Sequence, residues 1–316
     1  MQNKFIVGID TSNYTTSLCI LDEEGNILLN YKKLLFVKEN ACGLRQSDAL
    51  FAHIKNLPEA LNALRAFVQD GSIVAVGVSS RPRNVEGSYM PCFLAGVTAA
   101  NAIASATNAP LYEFSHQCGH IMAAIKSSGR FDLLKKEFLS FHISGGTTEM
   151  LLVGFLQDAF DCKIVGGTLD ASAGQIIDRV GVHMGLPFPA GSYMENLALA
   201  NTEKVPNRKP TLKGTYANLS GLENIAKKLY EETQSKELVS AFVFRYISRM
   251  LEEMTRSYYE KSGVVPIIFA GGVMSCSLIR NELSSRFDCG FAEPKLSSDN
   301  AVGIAELARN KYLLSR

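Results

Sequence analysis

The chain of 316 residues has no tryptophan, and its charge has no dominant sign: 32 Lys and Arg stand against 31 Asp and Glu, a formal +1. That balance excludes a strongly basic nucleic-acid binder, though not a local basic patch. No apolar run reaches the ~20 residues that span a bilayer. The opening residues, Met1-Gln-Asn-Lys-Phe5, enter a strand at once and lack the apolar core of a secretory signal. Cysteine is sparse and odd in number, seven without tight spacing, which argues against a disulfide framework. Cys19, Cys92 and Cys162 sit in apolar runs and read as small core residues. A reducing, cytoplasmic setting fits this usage. No stretch has the composition of a disordered segment.

What is present is an ordinary α/β composition, 47% hydrophobic and 20% charged, long enough for two domains. Lys4 to Ile9 is a buried-strand run that enters a polar turn at 10–16 and leaves through Ser17 to Leu21. A third strand follows from Ile27 to Leu35, then a helix over 47–69 with Pro58 inside it, a fourth strand at Ile73 to Val78, and an alanine-rich helix from Met90 to Ala106. That helix is apolar nearly all round and is expected to be buried. A strand after Pro110 completes the order βββαβαβ. A second unit then starts in the same way: strand 137–143, the turn Ser144-Gly-Gly-Thr-Thr148, strand 149–153. The repetition points to two similar halves. Residues 201–217, with Lys204, Arg208, Lys209 and Lys213, read as an exposed polar loop.

The stretch Leu111 to Met122 organises the chemistry. A short strand gives way to Ser115, a good helix N-cap, and a helix ending near Gly129. His116 and His120 are four apart, so a helix puts both on one face, where two imidazoles can share a metal ion. Zinc peptidases with this spacing need Glu directly after the first His as general base. Gln117 stands there and cannot take a proton. From spacing alone, two surface histidines without a metal are an equal alternative. Asp299 is the best third ligand, and a carboxylate with two imidazoles suits zinc or iron; a plain residue at a helix N-terminus is its other reading.

Three strands end in loops of Gly, Ser and Thr, at 10–16, 144–148 and 270–273. Glycine lets backbone N–H groups approach phosphate oxygens, and the third loop precedes a helix whose N-terminus favours an anion. Together they suggest a nucleotide cleft. Asp10 could orient a metal-bound water or a phosphate, with Thr11 and Ser12 beside it as the candidate catalytic set; a turn residue bonding its own backbone is the alternative. Asp178 could bind a ribose hydroxyl or pair with a cation.

The ordered set of glycine loops, His116/His120, Asp178, Pro189-Ala-Gly191, Asn218-Leu-Ser-Gly-Leu222, Ala270-Gly-Gly-Val273 and Ser298-Asp-Asn300 resembles the tRNA threonylcarbamoyladenosine synthase family TsaD, formerly described as a glycoprotease. The likeness runs from Gly8 to Asn300. It implies an α/β, actin-like ATPase (ASKHA) fold with two βββαβα-type halves around a nucleotide cleft: residues 1–110, completed by a C-terminal helix at 300–316, and residues 111–299. It further implies acyl transfer, in which threonylcarbamoyl-adenylate gives its threonylcarbamoyl group to an adenosine beside the tRNA anticodon. His116, His120 and Asp299 would hold the metal. The segment His142, Ile143, Ser144, Gly145 and Gly146 would bind the adenylate or ATP with Asp178 and Gly191, and with Gly271, Gly272 and Cys276 of the third loop. TsaB-like and TsaE-like proteins would be partners.

The sequence departs from the family pattern in the first loop, where Asn13-Tyr14-Thr15-Thr16 replaces Cys-Asp-Glu-Thr, and at Ser47, Phe51, Ala171, Gln175 and Cys276. Metal ligands and phosphate loops survive while polar groups around them are lost, which is the pattern of a divergent paralogue. A non-catalytic binding partner, or an ATPase or phosphotransferase of the same fold, are the alternatives.

Overall fold

The computed structural model describes residues 3–12, 14–36, 44–156, 159–297 and 299–316. Asn13, Cys42 and Ser298 lie outside the described residues. In chain order the elements are β1 (Asn3–Asp10), β2 (Thr15–Leu21), β3 (Ile27–Leu34), α1 (Gln46–Phe67), β4 (Gly71–Arg81), α2 (Phe93–Thr107), β5 (Leu111–Ser115) and α3 (His116–Ser128). There follow β6 (Phe138–Ile143), β7 (Thr148–Leu156), β8 (Ala159–Thr168), α4 (Ala173–His183), α5 (Gly191–Ala200), β9 (Leu212–Lys213) and β10 (Tyr216–Ala217). The chain ends with α6 (Ser220–Thr233), α7 (Lys236–Ser262), β11 (Ile267–Ala270), α8 (Ser277–Ser284), β12 (Cys289–Phe291), α9 (Pro294–Ser297) and α10 (Val302–Leu314).

Two compact units result, one of Met1–Gly129, Phe155–Asp161 and Lys295–Arg316, the other of Arg130–Gly154 and Cys162–Pro294. The boundary expected after residue 110 therefore falls after Gly129. Hydrogen bonding explains the shift: β5 extends the first sheet beside β4, and α3 continues directly from it. Phe160 joins the first unit through its carbonyl, which accepts from Asn84 at 3.0 Å.

The first sheet has the order β3-β2-β1-β4-β5, with β1–β2 and β2–β3 antiparallel and β1–β4 and β4–β5 parallel. The second has the order β12-β11-β6-β7-β8-β10-β9. Its core, read as β8-β7-β6-β11-β12, repeats the first sheet strand for strand, with β6–β7 antiparallel and β6–β11–β12 parallel. The repetition suspected from two loops thus extends to whole sheets.

Burial explains the strands. β2 is buried at every position, as a strand covered on both faces must be. Val7, Ile9, Val76 and Val78 meet Ala60 and Leu64 of α1 and Ala100 and Ala104 of α2. On the opposite face, glycines admit α10. A Cβ on Gly8 would stand 2.6 Å from the Ala301 carbonyl, and one on Gly77 2.8 Å from that of Ile304, so backbone lies directly on backbone. In the second unit Phe141, Phe269 and Phe291 form a ladder with successive ring centroids 5.0 Å apart, each step worth ~1 kcal/mol beyond its buried area.

Three expectations are corrected. α2 buries one face only, since Leu94 is 44% exposed and Asn101 and Ser105 face solvent; small residues pack closely on one side without needing cover on the other. Cys162 is half-buried rather than core. The 201–217 loop ends in a β9–β10 hairpin that pairs with β8.

Candidate metal centre and nucleotide cavity

Ser115 begins the first site. Its Oγ accepts from the Cys118 N–H at 3.3 Å, and Gly129, at φ +70°, ends the helix in the left-handed region. Between these caps α3 presents His116 and His120 side by side. Asp299 reaches them from the turn before α10. Asn300 caps that turn instead, its Oδ1 accepting from the Val302 N–H at 3.0 Å, which leaves the Asp299 carboxylate for the histidines.

The three ligand atoms form a small triangle. Nε2 of His116 and Nε2 of His120 are 2.9 Å apart, and Oδ1 of Asp299 is 3.5 Å from the first and 3.3 Å from the second. Zinc bonds of about 2.0–2.1 Å in tetrahedral geometry put ligand atoms about 3.3 Å apart, so these edges match one face of such a polyhedron. This triangle is the one group of metal-capable side chains among the described residues. Behind it lies Asp10, fully buried, whose Oδ2 is 3.1 Å from Nδ1 of His116. An Nδ1–H held by a carboxylate leaves Nε2 as the electron-pair donor. Asp10 is itself fixed by the hydroxyls of Ser79 and, at 2.8 Å, Ser12.

Electrostatics agree. Burial alone would push the His116 imidazole down, but Asp10 and Asp299 outweigh it and hold it at about 10. Burial likewise opposes ionisation of Asp299, yet the two imidazoles keep it far below the usual carboxylate range. Asp10 and Asp299 thus stabilise one positive charge at this point, a proton on His116 or a metal ion in its place.

The candidate catalytic set divides. Asp10 and Ser12 stand behind His116, as orienting groups. Thr11 faces elsewhere: its buried Oγ1 donates to the Cys92 carbonyl at 3.1 Å and accepts from the Gly96 N–H at 3.0 Å, tying β1 to the start of α2. Two neighbours escaped the sequence reading. His53 of α1 is fully buried with Nδ1 2.8 Å from the Thr16 hydroxyl, and burial pushes its imidazole down to about 4 against the pull of Asp10 and Asp299. Lys32 shares a face of the sheet with Asp10, through the register Asp10–Ser17–Lys32, and donates to the Lys295 carbonyl at 3.0 Å. A register between strands cannot be read from spacing within one.

The second unit holds a cavity of about 360 Å³ lined by Gly145, Asp178, Gly191, Glu195, Gly272 and Cys276, among others. The second and third glycine loops meet here. Gly271, at φ +99°, lies so close that a Cβ would stand 2.2 Å from the Ile143 carbonyl. Gly145, Gly146 and Gly272 instead have open space where a Cβ would be, so a ligand can approach their backbone. Ile143 is in the core and offers only its main chain, and His142 is half-buried in β6. Ser144 turns its Oγ back to accept from the Thr147 N–H at 3.1 Å. Asp178, on α4, accepts from the Ala190 N–H at 2.8 Å and so fixes the turn before Gly191. Cys276 is buried at the cavity wall, and burial raises its thiol to about 11.

One expectation fails here. The N-terminus of α8 is no anion site, because Glu195 occupies it: its Oε1 accepts from the Ser277 N–H at 2.7 Å and Oγ at 2.6 Å. Among the described lining residues there are two carboxylates, Asp178 and Glu195, and no lysine or arginine. One of the departures finds a structural role: Gln175 completes a capping box with Ser172. Asp170, the retained acid beside Ala171, accepts from the N–H groups of Leu219 at 2.8 Å and Ser220 at 2.9 Å to cap α6. Phe51 is 63% exposed on α1, and nothing in the structure explains it.

Two halves with this strand order define the actin-like ATPase fold. The activator of 2-hydroxyisocaproyl-CoA dehydratase from Clostridium difficile shares it, with a TM-score of 0.54 and 14% identity over 98% of this chain and 96% of that one. The model of the family TsaD, tRNA N6-adenosine threonylcarbamoyltransferase, matches residues 43–306, and the chain belongs to that family. The tRNA N6-adenosine threonylcarbamoyltransferase of Streptococcus suis (strain 05ZYH33) is 29% identical, covering 99% of this chain and 94% of its own length. That of Methanopyrus kandleri strain AV19 is 29% identical, covering 95% and 85%. These names describe an acyltransferase and not a peptidase, in keeping with Gln117. No helix among the described residues is long and apolar enough to cross a membrane.

Proposed function

We propose that this protein transfers the threonylcarbamoyl group of threonylcarbamoyl-adenylate to an adenosine of tRNA. The new bond joins the adenosine amine to the carbamoyl carbonyl carbon as the bond to the adenylate phosphate breaks, releasing AMP. The observation that carries the reading is the His116–His120–Asp299 triangle with Asp10 behind it, in a chain of this family.

A divalent ion, zinc or iron, held there would polarise the carbonyl under attack. The chain's own residues do the rest. Asp10 fixes the His116 ring with Nε2 toward His120 and Asp299, where these three residues would hold the ion. Asp178 and Glu195 offer carboxylate oxygens to ribose hydroxyls, and Gly145 and Gly272 offer N–H groups to a phosphate. A cavity with two carboxylates and, among the described residues, no basic lining suits an adenylate, with one phosphate, better than ATP, whose polyphosphate needs cations. This disfavours the ATPase and phosphotransferase alternatives. TsaB-like and TsaE-like partners belong to the same proposal.

The test joins metal, ligand and activity. Zinc or iron should copurify with the wild type and be lost in His116→Ala, AMP affinity should fall in Asp178→Ala, and the wild type should rescue a strain depleted of its own tRNA threonylcarbamoyl synthase. A protein that rescues the strain with His116→Ala in place would sink the metal part. Failure of the wild type to rescue, with metal and AMP both bound, would sink the transfer.

A further inference from the structure

The metal centre and the nucleotide cavity leave one cluster of charge unused. Lys204, Arg208 and Lys209, between α5 and the β9–β10 hairpin, and Lys213 of β9 are all exposed. Lys209 and the segment around it form one wall of a cavity of about 710 Å³, twice the size of the nucleotide cavity and wholly within the second unit. The facing wall is the outer side of α7 and α8, with Arg245 and Arg249 one turn apart on α7, about 6 Å along its axis. Arg249 also holds the segment in place, donating to the Asn207 side chain and, at 3.3 Å, to the Arg208 carbonyl.

Carboxylates line the cavity too, so pairing decides its sign. Glu252 is bound by Arg256 at 2.9 Å and by Arg286, and Arg286 also holds Glu282 at 2.9 Å; these four cancel locally. Six cations, the four above with Arg245 and Arg249, make no ion pair among the described residues. Three nearby carboxylates, Glu203, Glu253 and Glu260, are likewise without an ion pair there. Along the cavity lining itself Lys209, Arg245 and Arg249 stand against Glu253 and Glu260, an excess of one positive charge, with the three cations on adjoining walls. No aromatic side chain lines the wall among the described residues. Cations in series without stacking surfaces match repeated phosphates rather than bases or one small anion.

We propose that the wall formed by Lys209, Arg245 and Arg249 binds the phosphate backbone of the RNA acceptor. The inference rests on the transfer reading for the identity of that RNA, and on the charges alone for the surface. Each phosphate neutralised contributes about 0.7–0.9 to the slope of log affinity against log salt.

The test uses the full chain, an unmodified tRNA transcript and fluorescence anisotropy between 50 and 200 mM KCl, where about three contacts give a measurable slope. The triple variant Lys209→Ala/Arg245→Ala/Arg249→Ala should lower the slope by about 2 and weaken binding at low salt more than about tenfold. Arg245→Lys/Arg249→Lys should keep the slope. Should the triple variant fail to melt cooperatively, Arg245→Glu, on an exposed position, should still lower the slope by about 1 or more. A triple variant with wild-type slope and affinity overturns the inference. So does displacement of the tRNA by poly-glutamate at equal charge, which would mark a surface for an acidic protein. Transfer measured on the same preparations separates the two readings: transfer with an inert wall ends only this inference, and a salt-sensitive wall without transfer ends only the other.

Discussion

Gly303→Ala should damage this protein, although helix propensity says the reverse. Gly303 lies in the first turn of α10, where alanine is intrinsically better by about 1 kcal/mol. A Cβ there would stand 1.8 Å from the Gly119 carbonyl oxygen of α3, where ordinary contact begins at 3.4 Å, a deficit of 1.6 Å. The obstacle is backbone on both sides, so the helices themselves must part. Overpacking of this kind costs about 1–3 kcal/mol or more, which outweighs the propensity gain. α3 carries His116 and His120, and α10 follows directly on Asp299, so the same movement opens a triangle whose edges are 2.9–3.5 Å. Metal sites tolerate ligand errors of about 0.2 Å. We expect a lower urea midpoint by about 1–2 kcal/mol of stability and zinc affinity reduced at least about 100-fold against a chromophoric chelator. Gly119→Ala is the control. Its Cβ meets the flexible tip of Ile304 at 2.9 Å, and its cost should stay below about 1 kcal/mol. A Gly303→Ala protein as stable as wild type, with normal zinc affinity, would refute the packing argument.

Asp10→Asn keeps the shape behind His116 but loses its charge, and zinc affinity should fall about 10–100-fold by the same titration while the fold persists. His53 is held neutral down to about 4, so between about 6.5 and 4 the unfolded chain binds a proton that the folded chain refuses. Its contribution is complete above about 6.5 and is lost as pH falls through that window, by about 3 kcal/mol; urea curves of wild type and His53→Gln should converge toward acid, and parallel pH profiles would contradict this. Asp170→Ala removes the cap of α6 and should cost about 1 kcal/mol in urea unfolding, with Asp170→Asn retaining part of it.

The sequence carried the local parts of the site. Ser115 and Gly129 delimit α3, and that helix fixes His116 and His120 on one face whatever surrounds it. Asp299 was legible as a carboxylate opening the last helix, but its approach to within 3.3–3.5 Å of the imidazoles was not, because no local pattern fixes how that turn docks on a distant helix. The roles of Asp10 and Lys32 depend on strand register, and those of His53 and Gly303 on packing between elements far apart in sequence. Glu195 was invisible for a related reason: it caps α8 from α5, and a helix reads as anion-binding until a distant carboxylate is seen filling its end. Short elements also escaped notice. The two-residue strands β9 and β10 have no periodicity to detect, and their pairing with β8 comes from tertiary contact.

The order of residues along the chain has a consequence for biosynthesis. Asp299 is 179 positions after His120, with the entire second unit translated in the interval. A nascent chain therefore exposes two imidazoles long before their carboxylate emerges, and the proposed three-ligand site can be completed only once α10 has left the ribosome and docked on the glycines of β1 and β4.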